Sequence, residues 1–300
     1  MKIAVFGDVH GNLAAYQAVA NDIDRWGPDL VVSTGDIVNR GPSPKACLDA
    51  VERRRQEDGW RILRGNHEDY VIHQASPEAA RSGPEFDTYF QSYWTLLHLD
   101  RDVEAIRTWE DLVEIEGPGG SLVRITHGSV LGSDVGVFPG NHVDELAKRC
   151  GDPAPDVFCA GHTHVAFIKQ AGGTLVVNAG SVGIPFDGDW RAGYARLVHR
   201  NGGWDGEIVR LAYDRARTFN EYQDSGYLTE AGPIAWLVLA EYVFARSQLF
   251  AWHRDYYDRV QAGEIDIETS VREQLKEQGI WGEIWGMIPS TPHNFQDHAG

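Results

Sequence analysis

The chain has 300 residues, of which 42% are hydrophobic, and this is enough for one large domain with a substantial core. Its 44 acidic residues outnumber its 27 basic residues and give a formal net charge of −17. Nucleic acids and anionic membranes are bound through basic surfaces, so we expect neither as a general partner. An anionic substrate remains compatible with this charge where metal ions reverse the local field.

The cysteine content and the apolar runs bear on the cellular compartment. Cys47, Cys150 and Cys159 form no Cys-x-x-Cys pattern, which favours free thiols in a reducing environment. The chain enters a strand-like run within two residues and shows no signal-peptide pattern. The longest apolar run, 234–245, contains a glutamate and is too short to span a bilayer. We therefore expect a cytoplasmic protein without a membrane partner.

The first 65 residues alternate between short apolar runs and amphipathic segments. Segments 2–7, 30–33 and 61–63 are predicted as buried strands, and segments 12–25 and 44–56 are predicted as helices. Short connections between strands and helices in this order predict a parallel sheet.

Residues 68–111 interrupt this alternation with helical and strongly aromatic sequence. The favoured interpretation is a helical insertion that packs on the sheet. A second interpretation is that the start of the insertion also forms a wall of a substrate cleft.

Strand-like runs return after the insertion, with Gly or Asn-Gly turns between several of them, which predicts more antiparallel pairing. These runs are 112–116, 122–126, 157–160, 165–170, 174–177, 193–199 and 205–212. A second sheet that faces the first is the natural use of these strands, and this predicts an α/β fold with a two-sheet mixed sandwich flanked by helices.

From residue 214 onward the pattern is helical, with predicted helices at 214–223, 234–262 and 265–278. We therefore divide the chain into a domain at 1–213 and a helical C-terminal extension at 214–300. The extension packs on the core or forms an interface, so a homo-oligomer through these helices is one possibility.

Polar side chains follow many of the predicted strands. Carboxylate, imidazole and amide groups of this kind can hold two divalent ions as a clamp for displacement at phosphorus. This mixed set suits manganese, iron or zinc better than a metal that prefers thiolates. The candidate ligands are Asp8, His10, Asp36, Asn66, His127, His162 and His164.

The order of these motifs resembles the calcineurin-like metallophosphoesterase superfamily. The five blocks are Asp-x-His at 8–10, Gly-Asp at 35–36, Gly-Asn-His-Glu at 65–68, His-Gly at 127–128 and Gly-His-Thr-His at 161–164. The resemblance runs from Met1 to about Arg210 and is greatest to small bacterial and archaeal phosphodiesterases. It implies two divalent transition-metal ions, with manganese first and iron, zinc, nickel or cobalt as alternatives.

The resemblance also implies a role for each ligand candidate. One ion would be held by Asp8, His10 and His164, the other by Asn66, His127 and His162, and Asp36 would bridge them.

Three further residues are implied as catalytic. His67 resembles the histidine that gives a proton or a hydrogen bond to the leaving oxygen. Glu68 stands where the family usually has an aspartate, and its longer side chain leaves its pairing with His67 open. Arg40 matches the arginine of the block Gly-Asp-x-Val-Asp-Arg-Gly, in which Asn39 replaces the second aspartate. Arg40 either binds a phosphate oxygen or forms a surface ion pair.

These features predict hydrolysis of a small phosphodiester by attack of a metal-bridging hydroxide. The block around Arg40 leaves two alternatives open, a phosphoprotein phosphatase and a dinucleoside polyphosphate hydrolase. Some relatives with this fold are interaction scaffolds that have lost ligands. The complete ligand set makes that alternative weaker here.

Overall fold

The structure, a computed structural model, describes residues 1–289, so the end of the C-terminal extension, 290–300, lies outside the described residues. Short apolar runs form strands throughout the described chain. The ten strands are β1 Lys2–Phe6, β2 Leu30–Ser33, β3 Arg61–Ile62, β4 Leu112–Glu116, β5 Leu122–Thr126, β6 Val157–Ala160, β7 Phe167–Ala171, β8 Thr174–Asn178, β9 Ala192–Arg200 and β10 Gly203–Leu211.

Helices fill most of the connections and form the C-terminal region. They are α1 Leu13–Trp26, α2 Pro44–Asp58, α3 Asn66–Gln74, α4 Pro84–His98, α5 Glu104–Arg107, α6 Val143–Cys150, α7 Arg215–Asp224, α8 Tyr227–Glu230, α9 Ile234–Phe244, α10 Leu249–Gln261, α11 Ile267–Glu277 and α12 Trp281–Met287. The segment predicted as a helical insertion, 68–111, contains α4, α5 and all of α3 except its first two residues.

The strands form two mixed sheets of five strands each. In the first sheet the order is β10-β9-β1-β2-β3, where β1, β2 and β3 run parallel and β9 pairs antiparallel with β1. In the second sheet the order is β4-β5-β6-β8-β7, where β5, β6 and β8 run parallel. The predicted two-sheet α/β architecture is therefore confirmed.

The main core lies between the two sheets. Ile3 and Val32 of the first sheet pack in one apolar cluster with Val123 and Val157 of the second. The outer face of the first sheet is covered by α1, α2 and α4, and the outer face of the second by α6. Each sheet is thus buried on both faces around its parallel strands, which explains their continuous apolar runs.

The single helix predicted over 234–262 is wrong, because the chain breaks between α9 and α10. Ala245 adopts a left-handed conformation with φ of 51° and ends α9. The carboxylate of Glu241 then accepts the backbone N–H groups of Gln248 and Leu249, each at 2.9 Å, at the start of α10. This carboxylate compensates for backbone donors that a helix start leaves unpaired.

The C-terminal helices pack directly on the rest of the protein. Helix α9 is buried on nearly all sides, and its cluster includes Trp94 of α4 and Ile184 of the loop before β9. All three cysteines are buried and free. Among residues 1–289, no helix combines the length and the apolar character needed to cross a bilayer.

Candidate active site

The predicted metal ligands lie just beyond the carboxyl ends of the parallel strands. Asp8 follows β1, Asp36 follows β2 and Asn66 is the first residue of α3 after β3. In the second sheet His127 follows β5 directly and His162 follows β6. The carboxyl ends of parallel strands are where open α/β sheets place their ligands. Here both sheets direct polar side chains to one shared edge.

One group of four buried side chains forms the first half of the site. A single ligand atom from each of Asp8, His10, Asp36 and His164 lies within 4.8 Å of all the others. The His164 Nε2 atom is 3.2 Å from Asp8 Oδ1, and the His10 Nε2 atom is 3.6 Å from Asp36 Oδ2. Two carboxylates and two imidazoles converging in this way form a donor set that suits a divalent transition metal.

A second group lies next to the first. The Asn66 Oδ1 atom is 2.9 Å from His127 Nε2 and 3.0 Å from His162 Nδ1. The His127 Nε2 atom is in turn 3.3 Å from Asp36 Oδ2. One carboxylate oxygen of Asp36 therefore lies beside nitrogen atoms of both groups. All seven predicted ligands meet in two groups that share Asp36.

Backbone carbonyls orient two of the imidazoles. His127 Nδ1 donates to the carbonyl oxygen of Thr34 at 2.8 Å, and His164 Nδ1 donates to that of Ile184 at 2.6 Å. Such contacts are typical of metal-binding histidines, because they fix the tautomer and leave Nε2 as the ligand atom. The Nε2 atoms of His164 and His10 are 3.1 Å apart. A cation bound by both nitrogens fits this arrangement.

The titration behaviour of the ligands also favours a cation. Burial keeps the pKa of His10 well below its usual value and lowers the pKa of His162 to about 4, so both rings are neutral. Burial opposes ionisation of Asp36, but the charge and hydrogen bond of the His127 imidazole hold its pKa well below the usual range. Burial likewise opposes protonation of His127, yet the Asp36 charge raises the pKa of His127 to about 10. The shared carboxylate thus attracts positive charge to its position.

The ligand loops have an unusual backbone conformation. Left-handed φ angles are uncommon outside glycine and are concentrated at functional sites, where the surrounding structure enforces them. In this protein they occur at five of the seven predicted ligands, with φ between 48° and 65°, namely Asp8, His10, Asp36, His162 and His164.

Two glycines leave room for the ligand carboxylates. A methyl group added at Gly65 would lie 2.1 Å from Asp36 Oδ1, and one added at Gly161 would lie 2.3 Å from Asp8 Oδ2. Both distances are far below van der Waals contact. The glycine of each motif is therefore required by the close approach of a carboxylate from a neighbouring loop.

The family model of the calcineurin-like phosphoesterase superfamily domain matches residues 1–202, about two thirds of the chain. The chain belongs to this superfamily. The resemblance seen in the sequence motifs is thereby confirmed. The match ends before the C-terminal helices, α7 to α12.

One protein and two solved structures are similar to this chain over most of its length. The uncharacterized protein MJ0912 of Methanocaldococcus jannaschii is 27% identical over 242 residues, which cover 73% of this chain and 90% of that protein. A metallophosphoesterase from Sphaerobacter thermophilus is similar in structure, with a TM-score of 0.62 and 24% identity over 82% of this chain and 99% of the other. The hypothetical protein PH1004 from Pyrococcus horikoshii is also similar in structure, with a TM-score of 0.62 and 16% identity over 74% of this chain and 92% of the other. These two structures show the shared fold.

Glu68 has a different role from the predicted catalytic one. Its carboxylate accepts four backbone N–H groups, from Asp36 and Gly65 through Oε2 and from Ile37 and Val38 through Oε1, at 2.7–3.1 Å. Burial and the nearby Asp36 charge raise the pKa of Glu68 to about 8, and these N–H donors oppose the rise. With its oxygens occupied by the backbone, Glu68 holds the Asp36 loop in place, and we assign it a positioning role.

His67 lies at the site but is paired with a residue other than Glu68. Its ring centroid is 4.9 Å from that of His10, and its backbone N–H donates to Asp36 Oδ1 at 3.0 Å. Burial lowers the pKa of His67 well below its usual value. The partner of its Nδ1 atom is the side-chain amide of Asn39, at 2.9 Å. The sequence motif has asparagine instead of aspartate at position 39, but the sequence alone predicted no function for this residue.

Arg40 connects the site to the C-terminal helices. Its Nη1 atom is 3.9 Å from Oε2 of Glu241, which is fully buried in α9. Neither Nε of Arg40 nor Oε2 of Glu241 has a hydrogen-bond partner within the described part of the chain. The positive charge of Arg40 reaches both His10 and His67 and disfavours their protonation. The alternative of a surface ion pair does not describe this contact, because Glu241 is inaccessible to solvent.

Proposed function

We propose that this protein is a metal-dependent phosphoester hydrolase that holds two divalent ions and cleaves small phosphodiesters. The observation that carries the proposal is the position of Asp36, whose Oδ2 atom lies 3.6 Å from His10 Nε2 and 3.3 Å from His127 Nε2. A carboxylate shared by two ligand groups is the element that a two-ion clamp requires. Membership of the calcineurin-like superfamily supports phosphoester hydrolysis as the reaction class.

The two groups have the chemistry to hold such ions. Asp8, His10 and His164 would hold one ion and Asn66, His127 and His162 the other, with Asp36 common to both. When bound, the ions would act as Lewis acids on the phosphoryl oxygens and lower the pKa of water at the site. No thiolate is present among these ligands, so manganese, iron or zinc suits them best, and we propose manganese first.

The remaining residues support a phosphodiester as substrate. The positive charge of Arg40 acts on His10 and His67, and its guanidinium can bind a phosphoryl oxygen. A phosphodiester is proposed first because the sequence motifs are most similar to those of small bacterial and archaeal phosphodiesterases. His67 can donate to a substrate oxygen. The alternative of a non-catalytic scaffold has less support, because no member of the ligand set is missing.

Removal of metal should abolish activity. We expect protein treated with a chelator to lose turnover of bis-p-nitrophenyl phosphate and to recover it on addition of manganese. The measurement is nitrophenolate release over a panel of ions, with p-nitrophenyl phosphate, a phosphopeptide and a dinucleoside polyphosphate as competing substrate classes. An Asp8→Asn variant purified in parallel controls for contaminating hydrolases. Full turnover by metal-free protein would contradict the proposal. Faster turnover of the phosphopeptide or of the dinucleoside polyphosphate would contradict the assignment of a phosphodiester as the substrate.

The contact between Glu241 and Arg40 should affect substrate binding. A Glu241→Gln variant retains an oxygen for the N–H groups of Gln248 and Leu249 but loses the charge that faces Arg40. We expect KM to rise ~5-fold, or about 1 kcal/mol in binding, with little change in kcat, because Arg40 loses the buried charge that holds its guanidinium in place. Arg40→Ala should have a larger effect and lower kcat/KM by ~10²-fold, which is typical of removing one hydrogen-bond donor to the transition state.

Two comparisons decide whether this effect passes through Arg40. Glu264→Gln is the matched control, because Glu264 pairs with Arg259 at 4.0 Å where both side chains are exposed. This control should leave KM unchanged. In the double variant, the change at Glu241 should add nothing to Arg40→Ala. If the effects of the two substitutions add, Glu241 does not act through Arg40 and only stabilises α9 and α10.

A further inference from the structure

The buried side-chain amide of Asn39 is held in one orientation by its neighbours. Its Oδ1 atom accepts the backbone N–H of Arg40 at 3.0 Å and the hydroxyl of Thr95 at 3.3 Å. Its Nδ2 atom donates to the hydroxyl of Ser92 at 2.9 Å. A backbone N–H can only donate, so the reversed amide would set two donors against each other at Arg40. The amide nitrogen is therefore the atom that faces His67.

This orientation determines where His67 carries its proton. The amide nitrogen of Asn39 lies 2.9 Å from Nδ1 of His67 and can only donate to it. The Nδ1 atom must therefore accept, and the neutral ring carries its proton on Nε2. Among the side-chain contacts of residues 1–289, His67 forms a hydrogen bond through Nδ1, and none is formed through Nε2. The protonated nitrogen is thus the one that is free for substrate.

We propose that Asn39 is a positioning residue that fixes His67 as the neutral Nε2–H tautomer, so that His67 acts on substrate as a hydrogen-bond donor. Only one part of this inference rests on the proposed function, namely that the oxygen accepting this hydrogen bond belongs to a phosphoester substrate. A neutral imidazole stabilises developing charge on a phosphoryl or leaving oxygen while keeping its proton. The departing alkoxide then takes its proton from water. Helix α4 takes part indirectly, because it supplies the Ser92 and Thr95 hydroxyls that hold Asn39.

Asn39→Asp is a clean test of this role. The Arg40 N–H and the Ser92 and Thr95 hydroxyls can all donate, so a carboxylate at position 39 leaves no buried partner unsatisfied. The carboxylate can only accept, so it would require a proton on Nδ1 of His67. The variant should fold like the wild type while reversing the tautomer.

The tautomer can be read by nitrogen NMR of ¹⁵N-histidine-labelled, zinc-loaded protein at mildly alkaline pH. The His67 signals are identified as those that are absent from a His67→Gln variant. In the wild type we expect a protonated Nε2 and an unprotonated Nδ1, and in Asn39→Asp a protonated Nδ1. Ser92→Ala disturbs the same pocket without changing what faces Nδ1 and should keep the wild-type pattern. A protonated Nδ1 in the wild type would overturn the inference.

Kinetics test the chemical consequence separately. Glutamine at position 67 can place an N–H near the position of Nε2, whereas alanine cannot. If His67 only donates a hydrogen bond, His67→Gln should stay within about 10-fold of the wild type while His67→Ala loses ~10²–10³ in kcat. Equal losses in the two variants would rule out the donor role. The NMR measurement needs no substrate, so it stands even if the protein has no phosphoesterase activity.

Discussion

If the proposed two-ion clamp is correct, Asp36→Asn should reduce the metal content from two ions per chain to one or none. It should also lower kcat/KM by ~10³ or more, because such a clamp supplies several kcal/mol of charge stabilisation. The reason is geometric, since Asp36 Oδ2 is close to His10 Nε2 and to His127 Nε2. A neutral amide there leaves two neighbouring dications poorly screened. Mutation of a residue that only hydrogen-bonds to a metal ligand typically lowers metal affinity or activity ~10–100-fold. Asp36 is itself a candidate ligand of both ions, so loss of its charge should lower metal affinity more.

The measurement is elemental analysis after dialysis, combined with diester turnover on the same samples. Asp69→Asn is the matched control, because Asp69 lies on the same helix as Asn66 but is half-exposed and pairs with Arg64 at 2.8 Å. That control should keep both ions and full activity. Two tightly held ions in Asp36→Asn would remove Asp36 from its proposed place between them.

The places of the candidate metal ligands in the fold could be predicted from the sequence because they depend on local patterns. Apolar runs give strands, parallel strands end at one edge, and the polar residue after each run lands at that edge. Asp8, Asp36 and His127 follow this rule directly. The left-handed conformation at Asp8 and Asp36 gave no sequence signal, because neither is a glycine.

The support around the ligands could not be predicted, because it depends on tertiary contacts. Glu68 follows His67 in sequence, but adjacent residues on a helix point in different directions, so Glu68 turns to the Asp36 loop and His67 turns to Asn39. The Arg40 contact with Glu241 joins residues about 200 positions apart. One indication of this contact was present in the sequence, namely the single glutamate in the otherwise apolar run 234–245. In the structure this glutamate, Glu241, caps the start of α10 and lies opposite the charge of Arg40.

The break between α9 and α10 shows the same limit. The segment 234–262 contains no glycine or proline, so local pattern favours one continuous helix. The break exists because Glu241 provides an acceptor for the N–H groups of the second helix, and a periodicity argument does not include such an acceptor.

Glu68→Gln should destabilise the protein by about 2–6 kcal/mol, because each buried donor left unpaired costs ~1–3 kcal/mol and glutamine has one acceptor oxygen for four N–H groups. Two of those groups would face the amide nitrogen of glutamine instead. Since the N–H groups belong to Gly65 and to residues 36–38, the Asp36 loop should shift and metal affinity should fall with stability.

The test of Glu68 is urea unfolding of metal-free protein, so that metal binding does not contribute to the measured stability. Glu110→Gln is the control, since Glu110 forms a solvent-exposed pair with Arg61 and its loss should cost less than about 1 kcal/mol. If both variants unfold at the same urea concentration, the four N–H contacts do not hold the loop. If only Glu68→Gln is destabilised and it also binds metal weakly, this glutamate supports the site through the backbone. The glutamate at position 68 then has a physical reason, because its carboxylate reaches from α3 to the N–H groups of residues 36–38.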